Sequence, residues 1–394
     1  MILENVNVAT PPNVPFLRGK ELETLDIMKG VDLFIENGII KKITKSRKNS
    51  EPAHWIIPGF VDSHSHPIFC GMRGDEIDLR KKIGYEGVLK SGGGIYRTVR
   101  DTNSCDRDEL YKQSRERIET MIMNGTTSIE AKTGYGLTLE NEGKMLETMS
   151  RIEKDLGIRI RKTLLAHVPP RDTPEYEFLH KFKEMIDVFK DRIDYVDVFL
   201  DDGAFSPQFT REVFIYANRK GIPGRVHINE IKNINGIEML RDLDIRSYDH
   251  MLETRVEEID DINGIINFLP FTSLTLGKNT SIFREFLNHN KIIGMGSDVS
   301  PNSYILSMPL IIGLARQLSP FTLEQLLNMA TINSAYSLGI DSQVGTIHEN
   351  KEANLIVLKS SYKDIGYVFG NEIIEEVFVG GRPIKGTMEI NLIE

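Results

Sequence analysis

Apolar and polar positions fall into three textures along the chain. Residues 1 to about 54 alternate short apolar runs with polar turns. "ILENVNVAT" is followed by "VDLFIENGIIKKITK", where Asn37-Gly38 between two apolar-rich arms predicts a hairpin. From about Gly345 the same texture returns in "EANLIVLKS" and "EIIEEVFVGGRPIK", with a turn expected at Gly380-Gly381. Between them, apolar runs end in a polar residue and alternate with helical patterns. The runs are "FVDSHSH", "TSIEAK", "KTLLAH", "YVDVFLDD", "GRVHINE", "RSYDHM", "IINFLP" and "KIIGMGSD". A stretch such as "RDELYKQSRERIETMIMNG" places apolar residues at helical spacing and stops at Gly125.

Eight β/α repeats over roughly 290 residues suit a (β/α)8 TIM-like barrel of the α/β class. A doubly wound open sheet gives a similar alternation. The terminal strands need a place of their own, and pairing with each other beside the barrel buries both apolar faces. The expected layout is a small discontinuous β-sandwich from residues 1–54 and 345–394, with the barrel over 55–344.

In a barrel the reactive groups collect at the C-terminal ends of the strands, where the polar run-ends fall. Successive strand residues point to opposite faces, so His64 and His66 point the same way and reach one cation. The same spacing also suits two histidines that merely cap a strand. His227 on the fifth run and Asp298 on the eighth favour the metal, because together they make a mixed N/O set suited to zinc or iron, with one position open. Glu230, in "HINE", is placed as general base for a water acidified by the ion. A carboxylate favoured by a helix start is the alternative.

His250 in "YDHM" either hydrogen-bonds the reacting oxygen or is a core histidine, and His167 in "LLAHVPP" has the same two readings. His54, His180, His289 and His348 receive no role, and Asp201 and Asp202 are expected as ion-pair partners on the rim. "KTGYGL" puts Tyr135 in a glycine-flanked loop, able to close over a ligand or to cover apolar surface. "SGGGI" lacks the glycine spacing of a nucleotide fingerprint and reads as a turn needing positive φ. Arg73 is available to a solute carboxylate or to neighbouring Asp75 or Glu76.

Composition narrows the partners. With 40% apolar and 27% charged residues the chain reads as an ordinary globular protein, and a net charge of −9 argues against nucleic acid. Its two cysteines, Cys70 and Cys105, read as free thiols in a reducing compartment. The start "MILENVNVATPP" lacks a signal-peptide pattern and no apolar run reaches the roughly 18 residues of a membrane span, so a cytoplasmic protein without a membrane partner is expected.

The whole constellation resembles the amidohydrolase superfamily and, within it, the imidazolonepropionases of histidine degradation. The likeness rests on "PGFVDSHSHPIFCGMRGDEIDLR", "SGGGIYRTVRDT", "GTTSIEAKTGYGL", "AHVPP", "VDVFLDDGAF", "VHINE", "DHMLE", "GSDVSP" and "ATINSAYSLGI". Arg73, "GGGI" and "TGYGL" are the discriminating parts. The resemblance implies hydrolysis of the cyclic amide of 4-imidazolone-5-propanoate to N-formimidoyl-L-glutamate, with one bound zinc or iron ion and a homodimeric habit. It further implies His64, His66, His227 and Asp298 as metal ligands and Glu230 and His250 as the catalytic pair, with Asp298 shared between the two functions. Arg73, Tyr135, His167 and Glu230 are implied as substrate-binding residues. The family usually reads Asp-x-Asn-Pro-Gly-Ser/Thr after the metal Asp. Here "DVSPNS" puts Ser300 in place of the Asn and Asn302 in place of the Gly, while Ser303 matches. The rivals are another mononuclear amidohydrolase, such as a heterocycle deaminase or a different cyclic amidase, and a non-catalytic barrel.

Overall fold

The computed structural model describes residues 1–48, 50–369 and 372–385. The chain begins with strands β1 (Ile2–Thr10), β2 (Asp26–Glu36), β3 (Ile39–Lys45) and β4 (Trp55–Pro58). Eight further strands follow: β5 (Phe60–Asp62), β6 (Thr126–Lys132), β7 (Arg159–Ala166), β8 (Tyr195–Leu200), β9 (Gly224–Ile228), β10 (Ile245–His250), β11 (Ile265–Phe268) and β12 (Ile293–Met295). The last are β13 (Leu355–Leu358), β14 (Ile374–Val379) and β15 (Arg382–Lys385).

The terminal strands gather in one seven-stranded sheet, ordered β15-β14-β13-β4-β1-β2-β3. Its central strands come from opposite ends of the chain: β4 pairs parallel with β1 and antiparallel with β13. Val8, Leu33, Ile35, Ile40, Ile56, Leu355, Val357 and Phe378 form its own buried cluster. The Asn37-Gly38 turn is the expected hairpin. Both residues have positive φ, 50° and 77°, and Glu36 pairs with Ile39 across it. A Cβ on Gly38 would stand 2.7 Å from the Gly380 carbonyl oxygen, and one on Gly381 3.1 Å from Gly38 Cα, so the two turns seat closely because Gly38 and Gly381 carry no side chain.

Strands β5 to β12 form the second sheet, parallel throughout and paired in chain order. Its two edges meet through the loops that follow them. Asp298 N donates to His64 O at 2.9 Å, His66 N to Val299 O at 2.9 Å, and Ser297 N to Asp62 Oδ1 at 2.9 Å. Helices Arg107–Met123, Leu139–Leu156, Glu175–Phe189 and Pro207–Asn218 pack outside, three of them capped by the side chains of Asp106, Thr138 and Ser206. Among the described residues no helix is long and apolar enough to cross a membrane.

One layer of the barrel departs from the branched apolar filling usual for this architecture. Glu130, Lys132, Asp197, Arg225 and Asp249 all point inward with no exposed surface. Lys132 Nζ lies 2.8 Å from Glu130 Oε1, 2.7 Å from Asp197 Oδ2 and 3.6 Å from Asp249 Oδ2, and Arg225 Nε lies 2.8 Å from Glu130 Oε1.

Candidate active site

Above that charged layer, at the C-terminal ends of the strands, three imidazoles converge. His66 Nε2 is 3.3 Å from His64 Nε2 and 3.2 Å from His227 Nε2. Regular β5 ends at Asp62, so the two N-terminal histidines lie just past the strand rather than on its pleat. What turns them together is the loop: Asp62 Oδ1 accepts from His64 N at 3.3 Å, and the β12 loop holds the main chain of both histidines. Asp298 completes the group, its Oδ1 3.4 Å from His66 Nε2 and 3.6 Å from His64 Nε2.

The donor set fits a divalent cation. His64 Nδ1 is 2.8 Å from Asp249 Oδ2, and His227 Nδ1 is 3.0 Å from Asp197 Oδ2. The first contact is a hydrogen bond, and a carboxylate only accepts, so the His64 ring proton belongs on Nδ1 and its Nε2 lone pair faces inward; at His227 the carboxylate charge lies close to Nδ1 without hydrogen-bond alignment. Donors about 2.1 Å from a tetrahedral ion stand about 3.4 Å apart, close to the separation of His66 from each neighbour. Burial, then neighbouring imidazoles and the Lys132 charge, holds all three rings well below the usual histidine range. Burial also pushes the Asp298 carboxyl up to about 7, against the hydrogen bond that Thr272 Oγ1 donates to Oδ2 at 2.5 Å.

Glu230 stands beside this group on a loop with an unusual support. Asp201 accepts from three successive backbone amides, those of Glu230 at 2.8 Å, Ile231 at 2.9 Å and Lys232 at 2.9 Å. No helix starts here, so the dipole explanation of this carboxylate falls away. Asp201 is therefore an amide clamp and not the expected rim ion-pair partner, while Asp202 does pair with Lys232. Burial, then Asp298 and Asp201, holds the Glu230 carboxyl well above its ordinary range. His250 Nε2 is 3.5 Å from Glu230 Oε2, and neither His250 ring nitrogen has a hydrogen-bond partner among the described residues. The core-histidine alternative, which needs a backbone partner, fails for it. Burial lowers this imidazole to about 4 and that of His167 to about 3.

Asn229, His250, Met251 and Asp298 all adopt positive φ, between 51° and 74°, on this one face of the barrel. Such conformations in residues with a Cβ cost of order 1–3 kcal/mol each. They persist because the surrounding hydrogen bonds fix them, including Met251 N to Ile228 O at 3.1 Å.

A cavity of about 660 Å³ opens over the group, lined by His66, His227, Glu230, His250 and Asp298 and also by Arg73, Tyr135, His167, Ser300 and Asn302. Arg73 is 8% exposed, and its Nε and Nη1 have no hydrogen-bond partner among the described residues. Glu76 makes one loose ion pair with it, Oε2 standing 4.0 Å from Arg73 Nε, and the closer contacts of the neighbouring carboxylates go elsewhere. Arg97 Nη1 takes Asp75 Oδ2 at 2.8 Å and Glu76 Oε1 at 3.3 Å, and Gly94 N donates to Glu76 Oε2 at 3.1 Å. The glycine turn is as expected, with positive φ at Gly92 and Gly94. Tyr135 is only 2% exposed; Glu142 pins its loop by accepting from the amides of Gly134, Gly136 and Leu137 at 2.7–2.9 Å. Its ring lies 5.2 Å from that of His167. Ser303 does not line the cavity but stands 3.0 Å from Thr272 Oγ1, behind Asp298.

The free-thiol reading of the cysteines is overturned: Cys70 and Cys105 are joined in a disulfide, with Cα atoms 6.4 Å apart. Helix Ile95–Ser104 brings its end back onto the loop after β5, where Thr102 Oγ1 accepts from Cys70 N at 3.2 Å. Paired as they are, the two cysteines carry no information about a reducing compartment. The bridge spans 35 residues and ties down the segment that leads into Arg73. Cys70→Ser is expected to lower the unfolding free energy by about 2–4 kcal/mol, read by urea denaturation; an unchanged midpoint contradicts a structural role for the bridge.

The pattern of the amidohydrolase family matches residues 55–384. The chain is 34% identical to the imidazolonepropionase of Thermoplasma volcanium over 384 residues, 95% of each chain. It is 31% identical to that of Clostridium tetani over 388 residues, 92% of this chain and 93% of the relative. Among solved structures, guanine deaminase from C. acetobutylicum with bound guanine superimposes with a TM-score of 0.69 at 16% identity, over 97% of this chain and 100% of that one. Atrazine chlorohydrolase TrzN from Arthrobacter aurescens TC1 complexed with zinc gives 0.72 at 16% identity, over 100% and 97%. These two likenesses speak for the fold, whereas the relatives speak for the family. The chain belongs to the amidohydrolase family, among the imidazolonepropionases.

Proposed function

We propose that this enzyme opens the cyclic amide of 4-imidazolone-5-propanoate with water, giving N-formimidoyl-L-glutamate. The observation that carries the substrate is Arg73: a buried guanidinium with unengaged nitrogens on the wall of the cavity that Glu230, His250 and Asp298 also line. A buried cation with one loose ion pair, to Glu76 at 4.0 Å, and two nitrogens without hydrogen bonds favours a ligand that brings a carboxylate. A neutral heterocycle, the substrate of a deaminase, leaves those nitrogens without an acceptor of opposite charge.

His64, His66, His227 and Asp298 would hold one zinc or iron ion, and that ion supplies Lewis acidity, lowering a water's pKa from 15.7 to about 7. The other steps belong to the chain's own residues. Arg73 takes the propanoate carboxylate, while Tyr135 and His167, which line the same cavity, flank the ring. Ser300 and Asn302 lie on the rim beside the substrate tail. Glu230 accepts the proton of the attacking water at its carboxylate and passes it to the ring nitrogen as the carbon–nitrogen bond breaks. His250, with its nitrogens unengaged, donates to the carbonyl oxygen as charge grows there.

The test is spectroscopic. Purified protein is expected to consume the ultraviolet absorbance of imidazolone propanoate, to stop doing so after dialysis against a chelator, and to recover on return of zinc or iron. Persistence of the absorbance with metal-replete protein rejects this substrate.

A further inference from the structure

We propose that Lys132, Asp197 and Asp249 are positioning residues for the ion, acting through His64 and His227 from the charged layer below them. The inference rests on the reading that the converging Nε2 atoms hold a divalent ion, and it concerns residues that reach no substrate.

Two of the three imidazoles stand on the layer's carboxylates. His64 Nδ1 meets Asp249 at 2.8 Å and His227 Nδ1 meets Asp197 at 3.0 Å, and both carboxylates converge on the Lys132 ammonium at 3.6 and 2.7 Å. On Asp249 the other oxygen is engaged as well, since Asn267 Nδ2 donates to Oδ1 at 2.6 Å, whereas Asp197 Oδ1 has no hydrogen-bond partner among the described residues. One lysine thus bridges two carboxylates; Asp249 fixes the ring angle and proton position of His64 by a hydrogen bond, and Asp197 places its charge against Nδ1 of His227. His66 differs: among the described residues no carboxylate stands against its Nδ1, and its ring is stacked on that of His167 at 4.9 Å.

A purely structural role explains this arrangement poorly. Buried ion clusters contribute little or negatively to stability compared with apolar side chains of the same volume, and the interior of such a barrel ordinarily uses those side chains. Here five fully buried charged residues stand in their place, three acids against two bases. The unbalanced negative charge lies directly behind the imidazoles, where it raises their basicity toward a cation.

Asp249→Asn, Asp197→Asn and Lys132→Met are made in the full chain, stripped of metal, and titrated with zinc against a chromophoric chelator. Each is then loaded with cobalt(II) for its visible ligand-field bands. Circular dichroism identifies which variants fold, and because Lys132→Met leaves carboxylates uncompensated, the two Asn variants decide if it does not. Glu142→Gln, which removes a buried carboxylate of helix Leu139–Leu156 that holds the Tyr135 loop, is the control for general destabilisation. Zinc affinity is expected to fall about 10- to 100-fold in both Asn variants, with displaced cobalt bands, while Glu142→Gln melts earlier but binds zinc as the parent does. Folded Asn variants that bind zinc within about twofold of the parent, with unmoved cobalt bands, overturn the positioning role. A parent chain that takes up neither zinc nor cobalt overturns instead the metal reading beneath it.

Discussion

Glu230→Gln is expected to lower kcat by about 10²- to 10⁴-fold, the range for removing a positioned general base, while the protein still folds and retains its metal. Gln keeps the size of the side chain and its backbone clamp to Asp201, so the loss is confined to proton transfer. The pH profile adds a second readout. Burial, with Asp298 and Asp201 nearby, holds the Glu230 carboxyl well above the ordinary value of 4.5. The ionised form is the base, so kcat/KM of the parent falls as the pH drops through that raised pKa. The acid limb therefore lies above 4.5 and is absent from the residual activity of the Gln variant. A Gln variant that turns over at the parental rate removes Glu230 from the proposed chemistry.

Arg73→Met tests the other end of the pocket. Truncating one member of a buried charge pair costs about 2–5 kcal/mol, which is roughly 30- to several-thousand-fold in kcat/KM. Most of this is expected in KM, because Arg73 grips the carboxylate and not the reacting ring. The same change should leave the slow turnover of an imidazolone whose propanoate is masked as an amide nearly untouched. Equal losses on the charged and the masked substrate show that Arg73 supports the loop and does not bind the carboxylate. Arg73→Lys keeps the charge but gives up the planar fork and is expected to recover only part of the affinity.

Much of this site is legible in the sequence because its residues end strands. A run of apolar residues that stops at His227 or Asp298 reports both the strand and the side of the barrel on which the polar residue emerges. The hairpin at Asn37-Gly38 and the turn in "SGGGI" are local and follow from glycine and asparagine backbone preferences. The missed features all depend on which distant segment lies opposite. Asp201 is an acid at a strand end like any other until the loop 230–232 arrives to offer it three amides. Glu130 and Lys132 were visible as strand residues, but Asp197, Arg225 and Asp249 become their partners only through the pairing of five consecutive strands. The Cys70–Cys105 bridge needed the return of helix Ile95–Ser104, which spacing alone does not reveal. The one strand argument that failed in detail concerns His64 and His66, whose convergence belongs to a hydrogen-bonded loop beyond β5.

The meeting of the first and last barrel strands has a consequence for how the enzyme is made. Ser297 reaches Asp62 across 235 residues of sequence, and Asp298 reaches His64 beside it. A ribosome delivers His64, His66 and His227, with the carboxylates of Asp197, Glu230 and Asp249, before Asp298, so the member of the group that ties the last barrel strand to the first is made last. The proposed ligand set is complete only when the eighth strand arrives, so binding of an ion by all four residues would report that the barrel has closed.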